Sequence, residues 1–564
     1  MRRKSVLVGV VGAALVCGTL AGPSAAGAAP AAGAPPARPS AAGGHDTTSP
    51  AEARRVDGVA TPHVRWQPCR ESFECAHVAL PADYDRPGGP LVKVGLLRSP
   101  ATDPARRIGS LLINPGGPGG SGMDMAQVLT GMLAPEMRAR FDLVGFDPRG
   151  VGESERLDCL PDDAARDKIL AAYVAAPVPV TDAQRRSRTG AARAIAAGCA
   201  EAGRRTVAGM HTAQVARDMD VLRRALGDAR LNYLGFSYGS ILGQYYAAMF
   251  PDRFRALAID GVVDSRDWIG VGGQRRRPVF DRIGSAPASE RAVQEFLRRC
   301  RAAGAARCPL AGVGDPAAVY EDIAVRLRAK PVEVGGAPFG YQEFVQLAVM
   351  VAYAPEFLQQ YDTALLGLYH LTHPADARTR AAASTALDAL VRRTGLRDTP
   401  DFRGLEATYG VMCGDAGHTS DLRRWPALAD DAARRAGHTG RLRAWQDDIC
   451  AADVWAAPAR DRYTGAPHRR TAAPVLVSGN TWDPATAREN AFTVARELAG
   501  SYLLDTDAWG HLSYLASGCA REAIDAYLLT GARPPAAQCR DAWQPFQDRR
   551  AATPPAPFAR TPLL

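Results

Sequence analysis

Leu231-Asn232-Tyr233-Leu234-Gly235-Phe236-Ser237-Tyr238-Gly239-Ser240-Ile241-Leu242 is the stretch whose reading decides the fold. The apolar run 231–235 has the length and composition of a buried strand, and 240–250 reads as a helix. Between them a Gly-x-Ser-x-Gly pentapeptide turns the backbone sharply. Glycines at 235 and 239 remove the side chains that would collide there, and the hydroxyl of Ser237 is left exposed above the sheet edge. A serine held that way is a candidate nucleophile. In a chain of 564 residues with 55 glycines the pentapeptide alone is a weak signal, so its weight comes from what surrounds it.

Further strands read outward from it. Segments 75–80 and 91–97 are short strands around the turn Asp83-Tyr84-Asp85-Arg86-Pro87-Gly88-Gly89. Segments 110–114 and 143–146 are apolar and soon followed by proline, as buried parallel strands are. Segments 231–235, 256–260, 475–477 and 502–504 complete the set. A helix over 212–226 has Val215, Met219, Leu222 and Leu226 on one face, Thr212 as its cap and Gly227 past its end. Strands alternating with helices make this an α/β chain. From 264 to 465 strand-like runs disappear, and helical ones take over at 290–301, 316–328, 343–353 and 357–368. Because the sheet would be incomplete without the strands that follow, this insertion reads as a lid over the active-site edge rather than as a separate domain. The expected organisation is a signal peptide at 1–29 and a flexible Ala/Pro-rich leader or pro-segment at 30–60. The core follows at 61–264, the helical lid at 265–465, the rest of the core at 466–546 and a tail at 547–564.

The amino terminus sets the address. Arg2, Arg3 and Lys4 precede an apolar run from 6 to 20, followed by Ala25, Ala26, Ala28 and Ala29, which is the layout of a secretory signal. The run is shorter than the roughly 20 residues a membrane span needs, so stable membrane insertion is not expected. Cys17 is the position that would allow a lipoprotein signal, but Val16 before it is larger than the small residue such signals carry. Of eleven cysteines, removing Cys17 with the signal leaves ten, an even number that points to disulfides in an exported chain. Spacing alone does not fix their connectivity. Taken in order they pair as Cys69–Cys75, Cys159–Cys199, Cys300–Cys308, Cys413–Cys450 and Cys519–Cys539. The net charge of +9 comes from scattered arginines without interleaved aromatics, which argues against nucleic-acid binding. No metal or organic cofactor is expected, and the sequence carries no signal for an oligomeric state.

Serine chemistry needs a base, and the base needs an orienting acid. In doubly wound hydrolases the chain order is serine, acid, histidine, the last two on loops after late strands. Asp483 follows the strand 475–477, and His511 follows the strand 502–504, so both stand in the expected slots. Asp505 and Asp507 are the rivals for the acid. Backbone N–H groups must also converge on the oxyanion. Tyr238, directly after the serine, supplies one. The second is expected from Asn114-Pro115-Gly116-Gly117-Pro118-Gly119-Gly120-Ser121-Gly122, with Gly117 the best single choice. Asp147 and Arg149 read as braces for the nearby loops.

Together these motifs resemble the secreted tripeptidyl aminopeptidases, α/β-hydrolase-fold serine exopeptidases related to proline iminopeptidases. The resemblance runs from about 64 to 546. It is carried by the 108–122 glycine loop, Phe141-to-Ser154, Gly235-Phe-Ser-Tyr-Gly239, Asp260-Gly-Val-Val-Asp264, Gly479-Asn-Thr-Trp-Asp-Pro484 and Gly510-His511. It implies an α/β-hydrolase fold with a large helical lid between sheet strands, Ser237 as nucleophile, Asp483 as acid and His511 as base. It also implies bridged positions at Cys413 and at Cys519–Cys539. Ser240 stands where threonine is usual, and the bulky Trp509 stands in a loop that is commonly glycine-rich.

The activity implied is release of short peptides, tripeptides foremost, from a free amino terminus; an extracellular carboxylesterase or lipase on the same scaffold is the alternative. An exopeptidase has to hold the substrate ammonium at a fixed distance from Ser237, and a carboxylate in the lid would do so. Asp415 is the candidate, with Glu343 and Glu356 as competitors.

Overall fold

Buried apolar runs of the sequence pair into one ten-stranded mixed sheet in the computed structural model. The structure describes residues 44–547 apart from 161, 202–203, 399–401, 420, 452–468 and 542. The expected signal, Cys17 and the tail from 548 onward lie outside the described residues. In chain order the strands are β1 (Gln67–Cys69), β2 (Phe73–Pro81), β3 (Leu91–Ser99), β4 (Gly109–Asn114), β5 (Phe141–Phe146), β6 (Leu231–Phe236) and β7 (Phe254–Asp260). A separate hairpin, β8 (Val332–Val334) and β9 (Ala337–Phe339), comes next. Then β10 (Val475–Trp482), β11 (Tyr502–Trp509) and β12 (Gln538–Arg540) complete the sheet. Its order is β1-β2-β3-β5-β4-β6-β7-β10-β11-β12. The first three strands are antiparallel and β3 pairs antiparallel with β5. From β5 onward every pairing is parallel.

Parallel strands here are buried on both faces. Tyr233, Leu257, Ile259, Val475 and Val477 pack under the helices Thr212–Ala225 and Tyr238–Met249. Leu111, Ile113, Leu234, Ala256 and Leu476 face the other way, under Gly122–Thr130 and Gly518–Thr530. The order reverses between β4 and β6, so this is the topological switch point, where open α/β sheets present a crevice at the strands' carboxyl ends. The glycine loop leaves β4 there and Ser237 leaves β6.

Between β7 and β10 the chain is mainly helical, as expected, but it also forms the β8–β9 hairpin that the sequence reading lacked. Phe296, Tyr320, Phe344, Leu365 and Leu387 of this insertion share one apolar cluster with Trp509 of β11. Trp509 itself is fully buried, stacked on Trp482 at 5.1 Å, and donates its indole N–H to Gln544.

Two expectations differ from the structure. The leader was read as flexible to residue 60, yet Pro50–Asp57 is a helix docked on the core. Val56 is fully buried, Glu52 pairs with the buried Arg217 at 2.8 Å, and Asp57 pairs with Arg253 at 2.7 Å. Two long-range ion pairs and one apolar anchor order a segment whose Ala/Pro content reads as disordered. Thr212 is likewise not the cap of its helix; His211 occupies that position and the carboxylate of Asp415 receives the N–H of Thr212. Five disulfides join Cys69–Cys75, Cys159–Cys199, Cys300–Cys308, Cys413–Cys450 and Cys519–Cys539. Each restricts the unfolded chain by about 2–4 kcal/mol.

Asp447, just past the helix Trp425–Trp445, is fully buried. One oxygen accepts the N–H of Val279 at 2.8 Å and the other has no hydrogen-bond partner among the described residues. Burial, with Asp448 and Asp281 adding to it, pushes the carboxyl up to about 8 against the pull of Val279 and Arg282. A carboxyl raised in the folded protein stays protonated where its unfolded counterpart, ordinary at about 4, has ionised. The contribution of this one group to stability is therefore full below about pH 4 and lost as pH rises towards 8. Urea unfolding at pH 5 and pH 8 is expected to show Asp447→Asn losing on the order of 2–4 kcal/mol less than the parent across that window; equal losses would refute this account.

Candidate active site

Ser237 sits at φ 55° and ψ −120°, a region that non-glycine residues rarely adopt. Its N–H donates to the carbonyl of Asp260, the last residue of β7, at 2.9 Å. The flanking glycines are sterically required. A Cβ at Gly235 would lie 2.4 Å from the carbonyl oxygen of Gly239, and one at Gly239 would lie 2.7 Å from that of Asn114. The Tyr233 hydroxyl donates to the Gly239 carbonyl at 2.9 Å and ties the turn to β6.

The glycine loop closes on this turn. A Cβ at Gly116 would fall 2.4 Å from Phe236 O, 2.8 Å from Tyr238 N and 2.9 Å from Ser237 Cβ, so Gly116 makes the closest approach. Its own N–H is engaged by Asn114 Oδ1 at 3.0 Å, and Gly117 is the next donor along the loop. Asp147, fully buried, braces the loop by accepting from Ser121 Oγ at 2.7 Å, Met123 N at 3.1 Å and Glu153 N at 2.8 Å. Arg149 binds Asp218 through both ends of its fork and the carbonyls of Pro81 and Ala82.

Asp483 leaves β10 and His511 follows β11 with one glycine between. His511 Nδ1 lies 2.8 and 3.0 Å from the two carboxylate oxygens of Asp483. Asp483 also accepts Ala485 N at 2.8 Å, Thr486 N at 2.9 Å, Thr486 Oγ1 at 2.7 Å and Leu512 N at 3.2 Å. Burial alone would raise its carboxyl; the imidazole and these donors outweigh it and hold the group below the usual carboxylate range. An ionised acceptor at Nδ1 fixes the proton there and leaves Nε2 as the basic nitrogen. The rival acids face elsewhere: Asp505 pairs with Arg488 at 2.6 Å and Asp507 with Arg540 at 3.4 Å.

Serine turn and histidine loop meet at residues 260–261. Asp260 accepts Ser513 N at 3.1 Å and Tyr514 N at 2.8 Å through its carboxylate while its carbonyl takes Ser237 N–H. The Cβ position of Gly261 is 3.3 Å from both His511 Cε1 and Thr486 Oγ1. From the insertion, the carbonyl of Tyr353 accepts His511 N–H at 2.8 Å, and its ring meets the imidazole edge-on at 5.2 Å. Sequence alone quotes Asp260 within a motif but gives neither it nor Tyr353 a role at the site. An Asp-Gly at a strand's end was a usable signal for the first; nothing local marked the second.

The three acids considered for a substrate ammonium differ. Asp415 is buried and accepts Thr212 N at 2.8 Å, Thr212 Oγ1 at 2.5 Å and Trp268 Nε1 at 3.0 Å. Glu343 caps its own helix by accepting Gly340 N at 2.8 Å. Glu356 is half-buried on the short helix after Tyr353, and burial raises its carboxyl despite the nearby Arg393.

Residues 109–281 match the α/β-hydrolase-fold family and residues 436–539 match the TAP-like protein family. The chain is 31% identical over 514 residues to the serine protease Hip1 of Mycobacterium tuberculosis, covering 84% of this chain and 91% of that protein. It is 30% identical over 489 residues to the tripeptidyl aminopeptidase of Streptomyces lividans, covering 83% and 84%. It is 32% identical over 506 residues to carboxylesterase B of Mycobacterium tuberculosis, covering 85% and 90%.

Gly116 combines φ +94° with the contacts above, so Gly116→Ala adds strain and a clash at once. A loss of about 2–3 kcal/mol in urea unfolding is expected; an unchanged midpoint would mean the loop does not press on the serine turn.

Proposed function

The chain belongs to the α/β-hydrolase family, and from that premise we propose a secreted serine exopeptidase that releases short peptides, tripeptides foremost, from free amino termini. The observation that carries the reading is the Asp483–His511 pair, hydrogen-bonded at 2.8 Å, on the rim where Ser237 is held in its strained turn. Ser237 Oγ attacks the scissile carbonyl while His511 Nε2 takes its proton, and Asp483 holds the imidazole oriented and stabilises its charge. The oxyanion is received by the N–H groups of Tyr238 and Gly117. His511 then protonates the departing amine, and water, activated by the same nitrogen, hydrolyses the acyl-enzyme. The helical insertion acts as the lid, since it brings Tyr353 against His511.

For the ammonium, Asp415 and Glu343 are spent on internal hydrogen bonds, which leaves Glu356 of the three. Relatives named as a serine protease and a tripeptidyl aminopeptidase favour peptides, and five disulfides suit an oxidising compartment. Esterase activity is the second reading, favoured by the relative named carboxylesterase B.

A free-amine tripeptide nitroanilide, its acetylated twin and a short-chain nitrophenyl ester separate the readings. Cleavage confined to the free-amine peptide is expected, and preference for the ester with no amidase activity would replace the peptidase by the esterase. Ser237→Ala is expected to lower kcat by about 10⁴-fold or more with the fold unchanged, and retained kinetics would remove Ser237 from the reaction.

A further inference from the structure

Arg443, on the helix Trp425–Trp445 of the insertion, is 1% exposed. Among the described residues its hydrogen-bond acceptors are all neutral oxygens: Nε donates to Ser289 Oγ at 3.1 Å and Nη1 to Gln446 Oε1 at 3.1 Å. Nη2 divides between the carbonyl of Pro484 at 3.0 Å and the hydroxyl of Tyr353 at 3.2 Å. Its guanidinium also lies 5.6 Å from the centre of the Tyr353 ring and 6.0 Å from that of Phe280. Burying a guanidinium on neutral partners costs several kcal/mol relative to an apolar side chain of that volume. An apolar side chain would hold neither acceptor.

Both acceptors lead to the relay. Pro484 follows Asp483 directly, and Tyr353 takes the N–H of His511 on its carbonyl while packing its ring against the imidazole. Ser289 Oγ adds a second donor to the Pro484 carbonyl, and Ser285 Oγ donates to that of Ala485. We propose that Arg443 is a positioning residue of the hydrolytic site: a single guanidinium on the insertion fixes both the acid loop, through Pro484, and the base, through Tyr353. The insertion then does more than cover the rim, because the charge relay is aligned only while the insertion is docked. One nitrogen, Nη2, reaches both acceptors because Nε and Nη1 are anchored on Ser289 and Gln446; a lysine ammonium lacks those two anchors and is held less firmly.

The inference rests on the serine-hydrolase reading, and its test uses the rate of Ser237 labelling by a fluorophosphonate, which needs the base but no peptide subsite. In Arg443→Ala, labelling and kcat are expected to fall about 30–100-fold with KM within about twofold. Free-amine peptides of different sequence should lose the same factor. Millimolar methylguanidine should restore labelling in Arg443→Ala, and Arg443→Lys should fall between the two. The low-field proton of the His511–Asp483 hydrogen bond, read by NMR, should shift in step. Wild-type labelling rates in folded Arg443→Ala, or a loss that methylguanidine does not reverse, would overturn the proposal. Should Arg443→Ala not fold, Arg443→Lys and Tyr353→Phe decide by the same rate, and parental rates in both overturn it. If the parent protein itself is not labelled, the hydrolase reading fails, and the NMR proton still reports on the clamp: an unshifted proton in Arg443→Ala overturns it.

Discussion

Asp260 is the constraint from which the geometry of the rim follows. It ends β7, and the parallel register sets Phe236 beside it on one side and Ser478 on the other. Its carbonyl therefore reaches the N–H of Ser237, one residue past Phe236, and its carboxylate reaches the loop that follows β11. Burial raises this carboxyl, opposed by the N–H groups of Ser513 and Tyr514. A slip of one residue in β7 would turn the side chain to the opposite face of the sheet and release both loops at once. The apolar layers that fix the register of β6, β7 and β10 thereby fix the chemistry above them.

Strain at Ser237 is affordable on these terms. A residue in that conformation costs about 1–3 kcal/mol. Hydrogen bonds from Ser237 N to Asp260 and from the Tyr233 hydroxyl to Gly239 return about 1 kcal/mol each. Gly116, Gly235 and Gly239 remove the collisions that would otherwise add to the cost. The turn is held by its surroundings rather than by its own five residues.

What was legible in the sequence follows the range of the forces involved. The central strands were readable because burial on both faces leaves continuous apolar runs ended by proline or glycine. Strands β1 and β12 and the β8–β9 hairpin are three residues each, too short for any pattern. The contact between Asp483 and His511 was readable from chain order, because loops after neighbouring late strands lie side by side. The ordered helix Pro50–Asp57 was not, since Glu52–Arg217 and Asp57–Arg253 join positions 165 and 196 residues apart. Asp415 stands in the sequence as a candidate for the substrate ammonium; only the fold shows Thr212 and Trp268 arriving at its oxygens. Gly117 stands in a run of glycines that sequence alone does not separate, and the fold brings Gly116 closest to the serine while engaging its N–H elsewhere.

The insertion carries what the core cannot. Serine turn, glycine loop and acid–base pair all spring from sheet strands, and such a rim serves any acyl substrate. From the insertion come Tyr353 under the imidazole, Glu356 next along the chain, and Ser285, Ser289 and Arg443 against the acid loop. Its apolar cluster takes in Trp509, two residues before His511. On the proposed reading, selectivity and alignment share one set of helices. A substitution that loosens the packing of these helices on Trp509 acts on turnover as well as on recognition, even where it touches no substrate.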